Sequence, residues 1–352
     1  MDFEEINAAI PDLNEAAASA AKANWDAIAK PLGSLGLLED AVISIAALTG
    51  SAQVRLDKRA VVVMCADNGV VEEGVTQTGQ EVTAIVAGNI AKGDTSVCRM
   101  AMLANADAYS VNMGMVFPAE VTIDRAIAPQ TANFTKGPAM SREQACAAVQ
   151  AGIDIASDLA SQGYNIIATG EMGIGNTTTS SALASVLLGL PVEEVTGRGA
   201  GLSDAGLARK VAAIGRAIEV NRPDPSDSLG TLAALGGFDI AGMAGLFIGG
   251  ALNRMPVLVD GFISATAALV AQRLCPRSTG AIFASHVSAE PAAHLVLEAM
   301  GKKPLICAEM RLGEGTGAVC ALPLLDMGLA VYSEMVSFSD INIEAYTPQG
   351  GE

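Results

Sequence analysis

Five times along this chain a short apolar, β-branched run stops at a glycine, aspartate or serine, and helical periodicity follows. The runs are RAVVVMCA (59–66) before Asp67-Asn68-Gly69, YNIIAT (164–169) before Gly170-Glu171, PVLV (256–259) before Asp260-Gly261, AIFA (281–284) before Ser285-His286, and PLIC (304–307) before the 311–317 loop. Strands that are apolar at successive positions are covered on both faces, as in parallel sheets flanked by helices. Polar and glycine residues directly after such strands lie at the carboxyl edge of the sheet, where ligands bind. An α/β fold with a parallel sheet is therefore expected, with these strand ends gathered at one edge.

Helices are legible between the runs. Residues 141–161 begin at Ser141 with Glu143 and Gln144 close behind, and 204–220 follow Ser203 as an N-cap. The stretch 239–252 (DIAGMAGLFIGGAL) is apolar on every side and reads as a buried helix. The two ends differ: 1–30 and 326–352 are more acidic and lack strand-to-loop clusters. They are expected to be helical and to form a small lobe from both termini, leaving 31–325 as a large α/β catalytic domain. A chain of 352 residues, 51% of them hydrophobic, can bury such a core.

Charge narrows the partners. With 21 Lys+Arg against 38 Asp+Glu, the formal charge is −17 and no basic cluster occurs, which argues against nucleic acid and anionic membranes. An anionic small substrate must then meet a local pocket of positive charge or main-chain N–H groups. The acidic start, MDFEEINAAIPDLNEAAASA, is not a signal peptide, and Asp239, Asp260 and Asp326 interrupt the long apolar stretches. Six cysteines at 65, 98, 146, 275, 307 and 320 form no CxxC pair, and His286 and His294 stand alone. Reduced thiols in a cytoplasmic protein are expected, with no metal and no other cofactor.

Four segments can carry chemistry. GEMGIGNTTTSS (170–181) follows a strand, and its glycines and Thr177–Thr179 stand where a helix begins. Helix N-termini attract phosphate through free N–H groups. A tight strand-to-helix turn also needs glycine, but the Gly/Thr density exceeds what a turn requires. Asn176 occupies the lysine position of a P-loop, and Thr178 the third glycine of a dinucleotide fingerprint, so neither of those functions is supported. TGRGAGLSDAGLARK (196–210) adds Arg198 and Lys210, the latter in the second turn of a helix. In RLGEGTG (311–317) glycines flank Glu314, a candidate general base, although lone loop glutamates are more often merely exposed. EEGVTQTGQEVT (72–83) is polar enough to read a flat ring, or is an ordinary loop.

These segments together resemble the nicotinate-nucleotide–dimethylbenzimidazole phosphoribosyltransferases, the CobT-like family. The resemblance spans nearly the whole chain. It rests on KPLGSLGLLE (30–39), CADNGV with EEGVTQTGQEVT (65–83), GEMGIGNTTTSSAL (170–183), TGRGAGL through Lys210, VDGF (259–262), SHVSAE (285–290) and RLGEGTGA (311–318).

The resemblance implies a Rossmann-like parallel sheet flanked by helices, with a small helical lobe built from both chain termini. It implies transfer of the 5-phosphoribosyl group of nicotinate mononucleotide to an aromatic lower-ligand base such as 5,6-dimethylbenzimidazole, giving nicotinate and an α-riboside 5-phosphate. Glu314 matches the catalytic glutamate, and Glu171 would stabilise the ribosyl cation or orient its hydroxyls. Gly175, Asn176, Thr177 and Lys210 would hold the phosphate, with Gly199 and Gly201 alongside, Gly173 in the same phosphate and ribose site, and Asp260 and Gly261 near the nucleotide. Thr76, Gln77, Gln80 and Leu312 would border the acceptor. Ser288 and Glu290 lie near the site without an assigned role. A homodimer is implied, with a heterodimer with a paralogue as the alternative. Asn68, where many members carry His, and the TQTG stretch (76–79) depart from the pattern on the acceptor side. A purine or a phenol is therefore the alternative acceptor. A catalytically silent subunit and a different phosphosugar enzyme are the competing readings.

Overall fold

The computed structural model of the chain describes residues 1–347. Its strands are β1 (Arg59–Ala66), β2 (Ala106–Gly114), β3 (Ile123–Asp124), β4 (Ile166–Met172), β5 (Val257–Val259), β6 (Ile282–Ala284), β7 (His286–Val287) and β8 (Ile306–Cys307). Its helices are α1 (Phe3–Ala9), α2 (Glu15–Ala27), α3 (Leu37–Thr49), α4 (Glu81–Lys92), α5 (Ser96–Leu103), α6 (Arg142–Ser161), α7 (Asn176–Leu188), α8 (Val192–Val195), α9 (Asp204–Asn221), α10 (Ser228–Leu235), α11 (Phe238–Leu252), α12 (Phe262–Leu274), α13 (Ala293–Ala299) and α14 (Thr316–Glu334). Six strands form one sheet in the order β3-β2-β1-β4-β5-β6, every pair parallel. The chain builds outward from β1 in one direction and from β4 in the other, so their carboxyl ends flank a topological switch point.

β1 shows why the apolar runs read as they do. All eight of its residues are buried. Ala60, Val62 and Met64 join the core that holds α6 and α11, while Val61, Val63 and Cys65 join the core that holds α3, α5 and α14. A strand with a core on each face has no polar side to show. On the first face α6 and α11 approach so closely that a Cβ on Gly152 would strike Gly242 O, and one on Gly245 would strike Val149 O. The helix starts follow the expected caps. Ser141 Oγ accepts from Gln144 N–H at 3.2 Å while Gln144 Oε1 accepts from Ser141 N–H at 2.9 Å, and Ser203 Oγ accepts from Gly206 N–H at 3.2 Å.

Three features differ from the sequence expectation. The 304–307 run does not join the main sheet; β8 pairs with β7 in a separate two-stranded sheet. β2 and β3 were not expected. β2 is half-exposed and carries Asp107 and Asn112, and β3 is only two residues long, so neither shows the continuous apolar signal of a doubly covered strand. The β4 run continues past Thr169 to Met172, which makes Glu171 a strand residue.

At the termini, α2 packs on α3, and Trp25 lies 5.0 Å from the ring of Tyr332 on α14. Lys30 sits over Trp25 and pairs with Glu39 at 2.7 Å, both side chains largely buried. Ile28 bridges Ser337 in antiparallel fashion. The C-terminal stretch is helical to Glu334 and carries no helix from 335 to 347; the rest of the expected 326–352 lobe segment, 348–352, lies outside the described residues. α14 is one continuous helix across 325–326, is long and apolar enough to cross a bilayer by length and composition, and packs on α3, α5 and β4.

The glycine contacts make a paired prediction. Gly245→Val should destabilise the fold by about 1–3 kcal/mol, because the added atoms meet backbone that cannot yield. Gly215→Ala, inside α9 with open space around it, should stabilise by about 0.4–1 kcal/mol. Chemical denaturation of both variants checks the contrast; equal effects would contradict the packing described.

Candidate active site

A cavity of about 360 Å³ opens at the carboxyl edge beside the β1/β4 switch point. That is the size of a nucleotide-scale ligand. Six segments wall it: the end of β4 with the start of α7, the turn after β5, residues 286–290, the 310–316 loop, and the two flaps 75–78 and 198–202. Of the residues singled out from the sequence, Glu171, Gly173, Gly175, Asn176, Thr177, Gly199, Asp260, Gly261, Thr76, Gln77, Leu312 and Glu314 line it. Gly201, Lys210 and Gln80 do not. Gln80 instead donates to Gln130 Oε1 at 2.7 Å and sits at the start of α4.

One end of the cavity suits an anion. Gly175 turns the chain into α7, and Gly175, Asn176 and Thr177 at the start of that helix line the cavity. Lys210 is fully buried, and its Nζ donates to Thr177 Oγ1 at 2.8 Å and to Gly197 O at 3.0 Å. The lysine thus reaches the cavity through the Thr177 hydroxyl. Burial lowers its pKa to about 8, against the pull of Glu290; an arriving phosphate would favour the charged form. The flaps are latched over this end, since Gln77 Nε2 donates to Ala200 O at 3.1 Å and also to Gly201 O.

The other end is acidic. Asn176 Nδ2 donates to Glu171 Oε2 and, at 3.0 Å, to Asp239 Oδ2. Burial, with Asp260, Asp239 and Glu314 nearby, lifts Glu171 to about 8. Burial likewise lifts Asp239 to about 6, while Asn176 and the first-turn N–H groups of α11 pull it down. Asp260 Oδ1 accepts from Gly317 N–H at 2.8 Å and Ala318 N–H at 3.0 Å, which caps α14. His286 lies beside Asp260, and burial holds its pKa below the usual value.

Glu314 sits between Gly313 and Gly315, and all three residues have positive φ (88°, 60° and 94°). The flanking glycines let the chain take this path, and Glu314 itself is held in a conformation that non-glycine residues rarely adopt. Glu314 lines the cavity, and its Oε2 accepts from Val97 N–H at 3.2 Å at the start of α5. The 311–317 loop closes directly onto β4: Glu314 N–H donates to Glu171 O at 3.3 Å, and a Cβ on Gly170 would strike Glu314 O.

Sequence reasoning did not find Asp239 or His286 as site residues. Asp239 had entered only as a charge inside an apolar stretch. A single acid in the first turn of an otherwise wholly apolar helix is the signal that could have revealed it. Ser288 and Glu290 line the cavity, and Ser288 Oγ and Glu290 Oε2 are buried without a partner among the described residues. No cluster of His, Cys, Asp or Glu fit to hold a metal ion occurs among the described residues.

A phosphoribosyltransferase family model matches residues 10–343. A nicotinate-nucleotide–dimethylbenzimidazole phosphoribosyltransferase of Acetivibrio thermocellus is 48% identical over 326 residues, 92% of this chain and 93% of that one. Another enzyme of the same name, from Ruminiclostridium cellulolyticum, is 45% identical over 350 residues and 99% of each chain. The crystal structure of CobT from Thermus thermophilus superposes with a TM-score of 0.89 at 37% identity, covering 94% of this chain and 99% of that one. The sheet order, the cavity at its switch point and these likenesses agree: the chain belongs to the nicotinate-nucleotide–dimethylbenzimidazole phosphoribosyltransferase family.

Proposed function

We propose that the cavity transfers the 5-phosphoribosyl group of nicotinate mononucleotide to 5,6-dimethylbenzimidazole or a related aromatic base. The observation that carries this reading is that Thr177, joined to Lys210, and the carboxylate of Glu314 line one nucleotide-sized cavity. The phosphate is held by Lys210, the Thr177 hydroxyl and the N–H groups at the start of α7. Asp260 and Gly261 border the nucleotide, and Gly173, Gly199 and Gly201 leave room around it. Thr76, Gln77 and Leu312 border the acceptor ring, with Gln80 supporting that wall from behind.

The chemistry follows from the charges. The glycosidic nitrogen of the donor is a ring cation, so departure with the C1′–N electron pair neutralises it, and the leaving group needs no acid. An acceptor nitrogen attacks C1′ from the opposite face and turns the β-linkage into an α-linkage. The attacking ring would become cationic unless it lost its N–H proton. Glu314 takes that proton: Val97 N–H fixes Oε2 and leaves Oε1 for the acceptor. Positive charge on the ribose faces Glu171. The enzyme is further proposed to act in the cytoplasm as a homodimer, without a metal.

Incubation with nicotinate mononucleotide and a panel of benzimidazoles, adenine and phenols tests the reading. An α-riboside phosphate with at least one of them is expected; none, from protein that still binds the donor, would support a silent subunit instead. Glu314→Gln should lower kcat by roughly 10²–10⁴ while donor binding persists. Lys210→Ala should raise the KM for the donor, more steeply at low ionic strength where attraction is least screened. A change confined to the acceptor KM would remove Lys210 from the phosphate site.

A further inference from the structure

Behind the acidic end of the cavity, two buried side-chain oxygens stand without a hydrogen-bond donor. Asp239 and Asn68 are both fully buried; Asp239 Oδ1 and Asn68 Oδ1 have no hydrogen-bond partner of ordinary geometry among the described residues, and only the first-turn N–H groups of α11 lie close enough to draw on the Asp239 carboxylate. Both oxygens lie within 2.6 Å of the point that a Cβ on Gly237 would occupy, so they share one small space. On its other side the Asn68 Nδ2 lies 3.5 Å from Ile174 O. A proton on the Asp239 carboxyl would lessen the cost of burying two acceptors in one dry space. The opposite oxygen of Asp239 is tied through the Asn176 amide to Glu171, so a charge on Asp239 raises the cost of ionising Glu171.

Among the described residues no lysine or arginine is paired with Glu171 or Asp239. Glu171 faces Asn176 on α7, Asp239 on α11, Asp260 after β5, Glu314 before α14 and the Cys65 thiol on β1, and Asp239 also faces Asp67. Burial raises the thiol and the Asp67 carboxyl, and His286 is engaged beside Asp260. Among the described residues none of these carboxylates forms an ion pair with lysine or arginine.

We propose that the empty site stores one proton in the Asn176-bridged Glu171–Asp239 pair, and that docking of the ring-cation donor expels it. The inference rests on the function proposed above. The donor brings a fixed positive charge into a cavity lined by Glu171, and that charge takes over the role of the proton. On transfer, the C1′–N electron pair returns to the departing pyridine nitrogen and the ring cation vanishes. The acceptor's N–H proton passes to Glu314 and then restores the proton of the pair. One proton leaves per turnover, as the overall reaction demands, but it leaves at donor binding and not at bond exchange. The values of about 8 and about 6 for Glu171 and Asp239 agree with one stored proton at neutral pH.

Calorimetry of donor binding at pH 7, without acceptor, in buffers of different ionisation enthalpy reads the proton count directly. Wild-type protein should release about one proton per nicotinate mononucleotide bound. The corresponding nucleoside, which lacks the phosphate, should release the same number, since it leaves Lys210 untouched. Below about pH 8 donor affinity should rise by up to about tenfold per pH unit, the linkage expected for one expelled proton. Glu171→Gln should bind the donor with the release near zero. Clear binding heat with no proton release from wild-type protein overturns the inference and leaves the proposed transfer standing. Full release retained in Glu171→Gln also overturns it. No binding of the donor at all removes the proposed function, and the inference with it.

Discussion

The strand order places β1 and β4 side by side while their connections run to opposite halves of the sheet. No helix can cover the carboxyl ends at that point, because the chain leaves it in both directions. The gap so created is where the cavity lies, and the segments that wall it are strand ends and helix starts from distant parts of the sequence. Parallel pairing aligns those ends, and the two cores on either face of β1 hold the sheet rigid beneath them.

The electrostatics of the cavity run against the charge of the whole molecule at one end and beyond it at the other. A chain with a formal charge of −17 repels a phosphate at long range. Buried Lys210, acting beside the Thr177 hydroxyl, makes a small exception to that field. At the far end Glu171, Asp260 and Glu314 line the cavity and Asp239 lies behind Asn176, none of them paired with a lysine or arginine among the described residues. Such a site is costly when empty, and it favours a ligand that carries its own positive charge. A pyridinium nucleotide, cationic in the ring and anionic at the phosphate, has this polarity.

Much of the scaffold was legible because its signals are local. Buried strands beside glycine and aspartate marked β1, β4, β5 and β6, and Ser141 and Ser203 marked helix starts by their capping chemistry. β2 was illegible because a half-exposed strand mixes Asp107 and Asn112 with its apolar residues. The 304–307 run was legible as a strand but not as a member of a separate sheet, since a run of apolar residues does not name its neighbour. In the site, glycine spacing drew notice to Glu314 and to the 170–181 segment, whereas Asp239 looked like an interruption of an apolar helix.

By itself the amino-acid sequence determined the α/β class, the glycine-rich starts of α7 and the 311–317 loop, and the surplus of acid, because backbone sterics, periodicity and formal charge are properties of neighbouring residues. Tertiary structure decided which of those features meet. It set the Asn176 amide between Glu171 and Asp239, turned Asn68 Oδ1 toward Asp239 Oδ1, and laid Val97 N–H against Glu314. Those contacts join residues up to 217 positions apart, and their consequences come from desolvation and shared hydrogen bonds, which exist only once the chain has excluded water from around them.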